Sequence, residues 1–239
     1  GWIWALLEGG GMFVRAYKPD GSDVPAERTR PGQKGEQIPA AITGLDIHAS
    51  CVRVDGQGNI YIGWLGRPKG HKPPPGYEKD IAWSRSTGSV LKFAPAGGQR
   101  LKLKRGQKPP EGTVMGFTGV EQVYPGFGPF SHWNAAGSCV CTKPRFDVDG
   151  FGRLVIPNAI TFSVAVRDNA GNAITEFGHY GNFDAQGPGS SQPAPAIPLG
   201  WPTNAAVVGD SIYVADVLNH RIVRVDLDFA VVKTVQSRR

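Results

Sequence analysis

A chain of 239 residues that is 40% hydrophobic can bury a substantial core, and no apolar run approaches the ~18 residues that a membrane-spanning helix needs, so no membrane span is expected. Its 33 glycines and 20 prolines are close to twice the usual share, which suits many strands and turns rather than a helical fold. The net charge of +6 is spread along the chain except for RLKLKRGQK, Arg100 to Lys108; with no recognition signature and no interleaved aromatics, this reads as a lysine-rich strand edge and argues against a nucleic-acid partner.

In chain order, WIWALLE and GMFVRAYKPDGSDV form a first unit over residues 1–35 that lacks its opening strand. A connection, 36–49, leads to a second unit, 50–104. There CVRVDGQGNIYIGW and SVLKFAPAGGQRLKLK are two hairpins separated by an insertion, 64–88. After a loop over 105–143, PRFDVDGFGRLVIPN and FSVAVRDNAGNAITEF repeat the pair over 144–177. A loop over 178–202 then precedes NAAVVGDSIYVAD and RIVRVDLDFAVVKTV, 203–235. Each hairpin is an alternating apolar run, an Asp/Gly turn that supplies positive φ, and a second β-rich run. Tandem four-stranded antiparallel units are the blades of a β-propeller, so the expectation is one all-β propeller domain spanning 1–239 with four blades visible.

The last unit carries Asn219-His220-Arg221 at the corner between its second and third strands, and IYVADVLNHRIVRVD resembles the NHL-repeat family, named for an Asn-His-Leu triplet at this corner. That resemblance implies a propeller of about six blades, of which this chain would be the later part, entering inside a blade. SCVCTKPRFDVDGFGRLVIPN is similar to a bacterial subgroup of exported NHL-repeat proteins with Cys-x-Cys before a blade, which implies a secreted, periplasmic or cell-surface location.

In an antiparallel blade the links between strands one and two and between three and four leave at one end. Those between two and three, and from blade to blade, leave at the other. The first kind reads as short throughout (DGQG, APAGG, DGFG, DNAG, GD); the second holds the insertions, and long loops on a rigid scaffold are where function concentrates. The long-loop face carries the candidate binding residues Tyr77, Trp83, His132, Trp133, His179, Tyr180 and Trp201. Cys51, Cys139 and Cys141, with His48, are compatible with a disulfide from Cys51 to one of the pair, with a zinc or calcium site, or with free thiols. Asp147-Val-Asp149-Gly150 begins like a calcium loop, but its twelfth position is Asn158 rather than Glu, so the hairpin reading prevails. Asp216 is read as a backbone hydrogen-bond acceptor at its corner, His220 as structural, and Arg221 as pairing with a neighbouring blade's carboxylate.

These features point to a non-catalytic binding or assembly module for a protein or glycan partner, with no resident cofactor. The alternative is a metal-dependent, lactonase-like hydrolase or lyase with its site at the channel mouth. Against that alternative, no Glu-Gly-Pro segment is visible and no His precedes Pro202 in AIPLGWPTN. The oligomeric state is not encoded in any feature of the sequence.

Overall fold

The computed structural model describes residues 2–8, 12–22, 28–29, 37–38, 42–104, 106–130, 143–182 and 195–228. Among the described residues the fold is all-β, its strands gathered in mainly antiparallel sheets, with one short helix, Ile81–Ser86, inside the 64–88 insertion. Sheet A pairs Ile3–Glu8 with Met12–Tyr17. Sheet B runs Ala49–Val54, Ile60–Trp64, Gly88–Phe93, Val120–Phe127 in spatial order. Sheet C runs Asp147–Val148, Leu154–Asn158, Ser163–Arg167, Ala173–Phe177, and sheet D runs Pro202–Val208, Ser211–Asp216, Arg221–Asp226. The fourth strand expected in the last unit lies outside the described residues, as does that of the first unit apart from the short Arg28–Thr29 and Gln37–Ile38 pair.

Sheet C matches the sequence reading strand for strand. Its hairpin turns share one device with the first turn of sheet B: an aspartate whose carboxylate closes the turn on itself. Asp55 Oδ1 accepts from the amides of Gln57 and Asn59, both at 2.9 Å. Asp149 Oδ1 accepts from Phe151 and Arg153 at 2.9 and 2.8 Å, and Asp168 Oδ1 from Ala170 and Asn172 at 3.0 and 2.8 Å. In each case the second oxygen takes the side chain four residues on, Asn59, Arg153 or Asn172. Asp149 is thereby consumed in its turn, and Asp147 bonds Arg53 Nε at 2.7 Å and the Val207 amide at 2.9 Å, which is structural use rather than a calcium loop.

Sheet B departs from the expectation. Its fourth strand is Val120–Phe127, from within the segment read as a 105–143 loop, and not the QRLKLK stretch that follows APAGG. Gly98–Arg100 instead pairs in parallel with Ile42–Thr43 and antiparallel with Phe117–Thr118, while residues 101–104 alternate apolar and charged without joining a strand. Burial explains the choice. Val120–Phe127 delivers Tyr124 and Phe127 to the core, each worth ~1.5–3 kcal/mol when fully buried, whereas RLKLK offers two leucines between cations. The unit's boundary is therefore 127 rather than 104, and its strand three to four link is long.

That link is rooted beside the tight 55–59 turn, since Phe93 pairs with Val120 there. Its hairpin folds back along the sheet until Arg100 lies over Trp64 and a Cβ on Gly66 would meet Met115 at 2.9 Å. The insertion thus reaches the long-loop end by an unforeseen route. The other links at that end are contiguous. The Phe130 amide bonds Ser86 O, Gly128 bridges Asn158, Tyr180 packs edge-on to Phe162, and Asn219 bonds Gly181 O.

Opening strands of successive sheets meet one another in order. Ser50 Oγ donates to Pro144 O, Arg53 pairs with Asp147, and the Ala205 amide donates to Arg145 O. Between the sheets lie three apolar clusters, centred on Trp64, Phe93 and Phe117, on Tyr124, Phe127 and Phe146, and on Val164, Leu199 and Val214.

Candidate functional site

The 65–87 connection is organised by one cation. Arg67 Nη1 donates to the carbonyls of Trp83 (2.8 Å) and Thr87 (3.1 Å), and Nη2 to that of Ser84 (2.6 Å). The guanidinium carbon sits 4.4 Å from the centre of the Trp83 ring, a cation–π arrangement that fixes its plane. A six-residue helix is too short to stand alone, and here Asp80 caps it by accepting from the Trp83 amide at 2.6 Å. His71 stacks on Trp83 with centroids 5.9 Å apart. Partial burial, and next the Arg67 charge, pull the His71 pKa below its ordinary value.

Two clefts flank this core. One, of about 260 Å³, lies between His71, Lys72 and Trp83 and the face of sheet C that carries Ser163, Arg167 and Glu176. Ser163 Oγ donates to Glu176 at 2.8 Å and Arg167 lies 3.7 Å from the same carboxylate, so its polar wall is already paired. The other, of about 390 Å³, is lined by His48, Trp64, Arg67, Arg85, Thr87 and Arg100 among others. There Asp46 takes both the His48 ring, at 2.7 Å, and Arg100, whose guanidinium carbon lies 4.6 Å from the centre of the Trp64 ring. A larger cleft of about 480 Å³ opens at the tight-turn end, between Trp2, Trp4 and the 55–58 turn. It offers little chemistry, because the one carboxylate on its wall, Asp55, is taken up by Asn59 and the Tyr61 hydroxyl.

Of the residues singled out from sequence, Trp83 is buried as the platform of the first cleft, and Tyr77 sits in the turn just before the helix, its phenol pKa raised by partial burial and then by Asp80. His179 and Tyr180 are exposed on a two-residue strand that pairs in parallel with Pro198–Leu199. Trp201 is half-buried and gives its amide to Asp216 at 2.7 Å. His132, Trp133, Cys139 and Cys141 lie outside the described residues. Among the described residues Cys51 is a free thiol held against Phe146 O at 3.6 Å, with its pKa raised by burial. No group of three or more His, Cys, Asp or Glu side chains among the described residues is placed to hold a metal ion.

The Asn219 corner bears out the reading of Asp216 and corrects that of Arg221. Asp216 is fully buried and accepts from the amides of Gly200 and Trp201, from Asn219 Nδ2 and from Arg221 Nε. Arg221 therefore pairs within its own sheet, and its other contact is the Pro198 carbonyl rather than a neighbouring sheet's carboxylate. His220 takes the left-handed turn at φ 50 and points no polar contact at Asp216. Sequence reasoning missed Arg67, Arg85 and Arg100 as a group. The clue available was an arginine at each end of the insertion, but nothing local indicated that the folded-back hairpin would bring Arg100 to them.

The described residues thus define an all-β protein with several three- and four-stranded, mainly antiparallel sheets, with long connections and two charged clefts at one end and short aspartate turns beside a third cleft at the other. Among them no helix is long and apolar enough to cross a membrane. No family model matches the chain, and no curated protein matches it. A crystal structure of a protein of unknown function from Bacteroides caccae aligns with 95% of this chain at 12% identity and a TM-score of 0.34. The chain spans 61% of that protein's length.

Proposed function

We propose that this chain is part of a non-catalytic NHL-type β-propeller that acts outside the cytoplasm as a binding or assembly module, engaging a protein or glycan partner through its long-loop end. The propeller reading draws support from the succession of opening strands in sheets B, C and D, each bonded to the next. The observation that carries the binding reading is the asymmetry of the two ends. One has tight aspartate turns whose carboxylates are satisfied within the turn, and its cleft beside Trp2 and Trp4 presents no free carboxylate among the described residues, while the other combines a 23-residue insertion, two clefts lined by charged side chains and exposed groups such as Lys72 and Tyr180. Loops set on a rigid sheet scaffold are where recognition sites are usually built.

The test is a photo-crosslinking amino acid placed at Lys72, on the long-loop end, or at Phe151, an exposed tight-turn residue, in the native cell, beside a panel of purified glycans offered to the isolated protein. A discrete adduct from position 72 alone, or saturable glycan binding weakened about tenfold by Lys72→Ala and untouched by Phe151→Ser, supports the reading. Adducts from position 151 alone, or neither adduct nor glycan binding, overturn it.

A further inference from the structure

The second cleft has an unbalanced charge. Three guanidinium groups, Arg67, Arg85 and Arg100, line it, and among the described residues Asp46 is the one carboxylate bonded to any of them, which leaves two positive charges over there. They play different parts. Arg67 spends three of its five N–H donors on backbone carbonyls, so its main contribution to the cleft is field rather than direct bonds. Burial lowers its pKa, and its charge adds to the burial that depresses His71. Arg100 is pinned over Trp64 and bonded to Asp46 through one nitrogen, and a guanidinium has five N–H donors in a rigid fork. Arg85, in the last turn of the helix, is exposed.

A second, independent observation comes from another residue lining the same cleft. Thr87 is 2% exposed, and its buried hydroxyl has no hydrogen-bond partner among the described residues. A buried unpaired hydroxyl carries a desolvation penalty, so such groups call for a reason, and one in the wall of a cation-lined cleft is suited to a ligand oxygen.

We propose that this cleft binds an oxyanion borne on a small organic group, a carboxylate or a phosphate or sulfate ester, with Arg85 and Arg100 as its direct donors. At about 390 Å³ the cleft falls within the ~300–1,000 Å³ of ordinary ligand sites and is roomier than a bare inorganic anion needs. Paired guanidinium forks match the planar or tetrahedral oxygens of such groups, while the surrounding cations supply the attraction. This assignment rests on the binding-module reading only in naming the chemistry of one cleft at the same end.

Calorimetric titration of the protein at low salt with D-glucuronate, glucose 6-phosphate and glucose 6-sulfate, against glucose and against inorganic phosphate and sulfate, tests it without any partner. At least one of the three charged sugars is expected to saturate at least tenfold more tightly than glucose and more tightly than the bare anions. Arg85→Gln should weaken that binding about tenfold with thermal stability unchanged. Arg100→Gln should do the same if its circular dichroism is native, and Thr87→Val should weaken it severalfold without lowering the melting temperature. Binding no tighter than glucose, equal affinity for the bare anions, or wild-type affinity in Arg85→Gln overturns the assignment. Crosslinking from position 72 is unaffected by any of these outcomes, so the two readings fail separately.

Discussion

Two connections at the same end of the molecule solve one problem with opposite charges. The link between strands two and three is four residues in sheet D, 217–220, and 23 residues in sheet B, 65–87. In the short one a buried carboxylate, Asp216, gathers donors: two amides, an asparagine and an arginine. In the long one a guanidinium, Arg67, gathers acceptors: three carbonyls of the helix and its C-cap. The difference follows from what each loop leaves over. A four-residue corner next to an incoming strand has amide N–H groups pointing inward, whereas a short helix ends in unpaired C=O groups that attract a cation. The short corner neutralises its anion internally, and among the described residues the long one leaves its cation without a paired carboxylate, in the cleft it shares with Arg85 and Arg100.

The sharpest way to break this comparison is Asp216→Ala, which leaves Arg221 and Asn219 without their shared acceptor in a fully buried setting. The expected loss is ~3–5 kcal/mol in urea denaturation, and a loss below ~1 kcal/mol would show that the carboxylate is not the anchor. Arg67→Met, in a half-buried setting where water can replace part of the lost bonding, should cost less, ~2–3 kcal/mol, and change the near-ultraviolet signal of the aromatic residues as Trp83 loses its stacked cation. An Arg67→Met loss larger than that of Asp216→Ala would reverse the ranking.

The smallest effect is a pH dependence. Because His71 titrates below its ordinary value near 6.5 in the folded protein, the unfolded chain takes up its proton first as the pH falls. Its contribution is therefore present above about 6.5 and is lost as the pH drops below that value. His71→Gln should remove this fall from a stability profile between pH 7 and 5, and Arg67→Met should shrink it by removing the neighbouring charge. A wild-type slope retained in His71→Gln would mean that another group is responsible.

Much of the sheet architecture was legible because its signals are local. Asp-x-x-Gly turns at 55, 149 and 168 satisfy their own carboxylates within five residues, and the alternating runs around them need no distant information to define a strand. The same holds for Asp216, whose place at the end of the alternating run IYVAD, three residues before Asn219, marked it as a corner acceptor. By contrast, which alternating segment takes the fourth place in sheet B is a competition. RLKLK has as good a period as VEQVYPGF, and only the space opened by Phe93, Tyr61 and Phe146 favours the segment that brings two aromatics.

The sequence by itself thus determined an all-β chain, its turns, three of the four strands of sheet B and the whole of sheet C, since hydrogen bonding within a hairpin is settled by neighbours. Tertiary structure alone decided the route of residues 94–119, and with it the meeting of Arg67, Arg85 and Arg100 around Trp64 and Thr87. Burial of apolar surface is non-directional and long-range in sequence, so the choice between competing segments depends on a core that no local pattern describes.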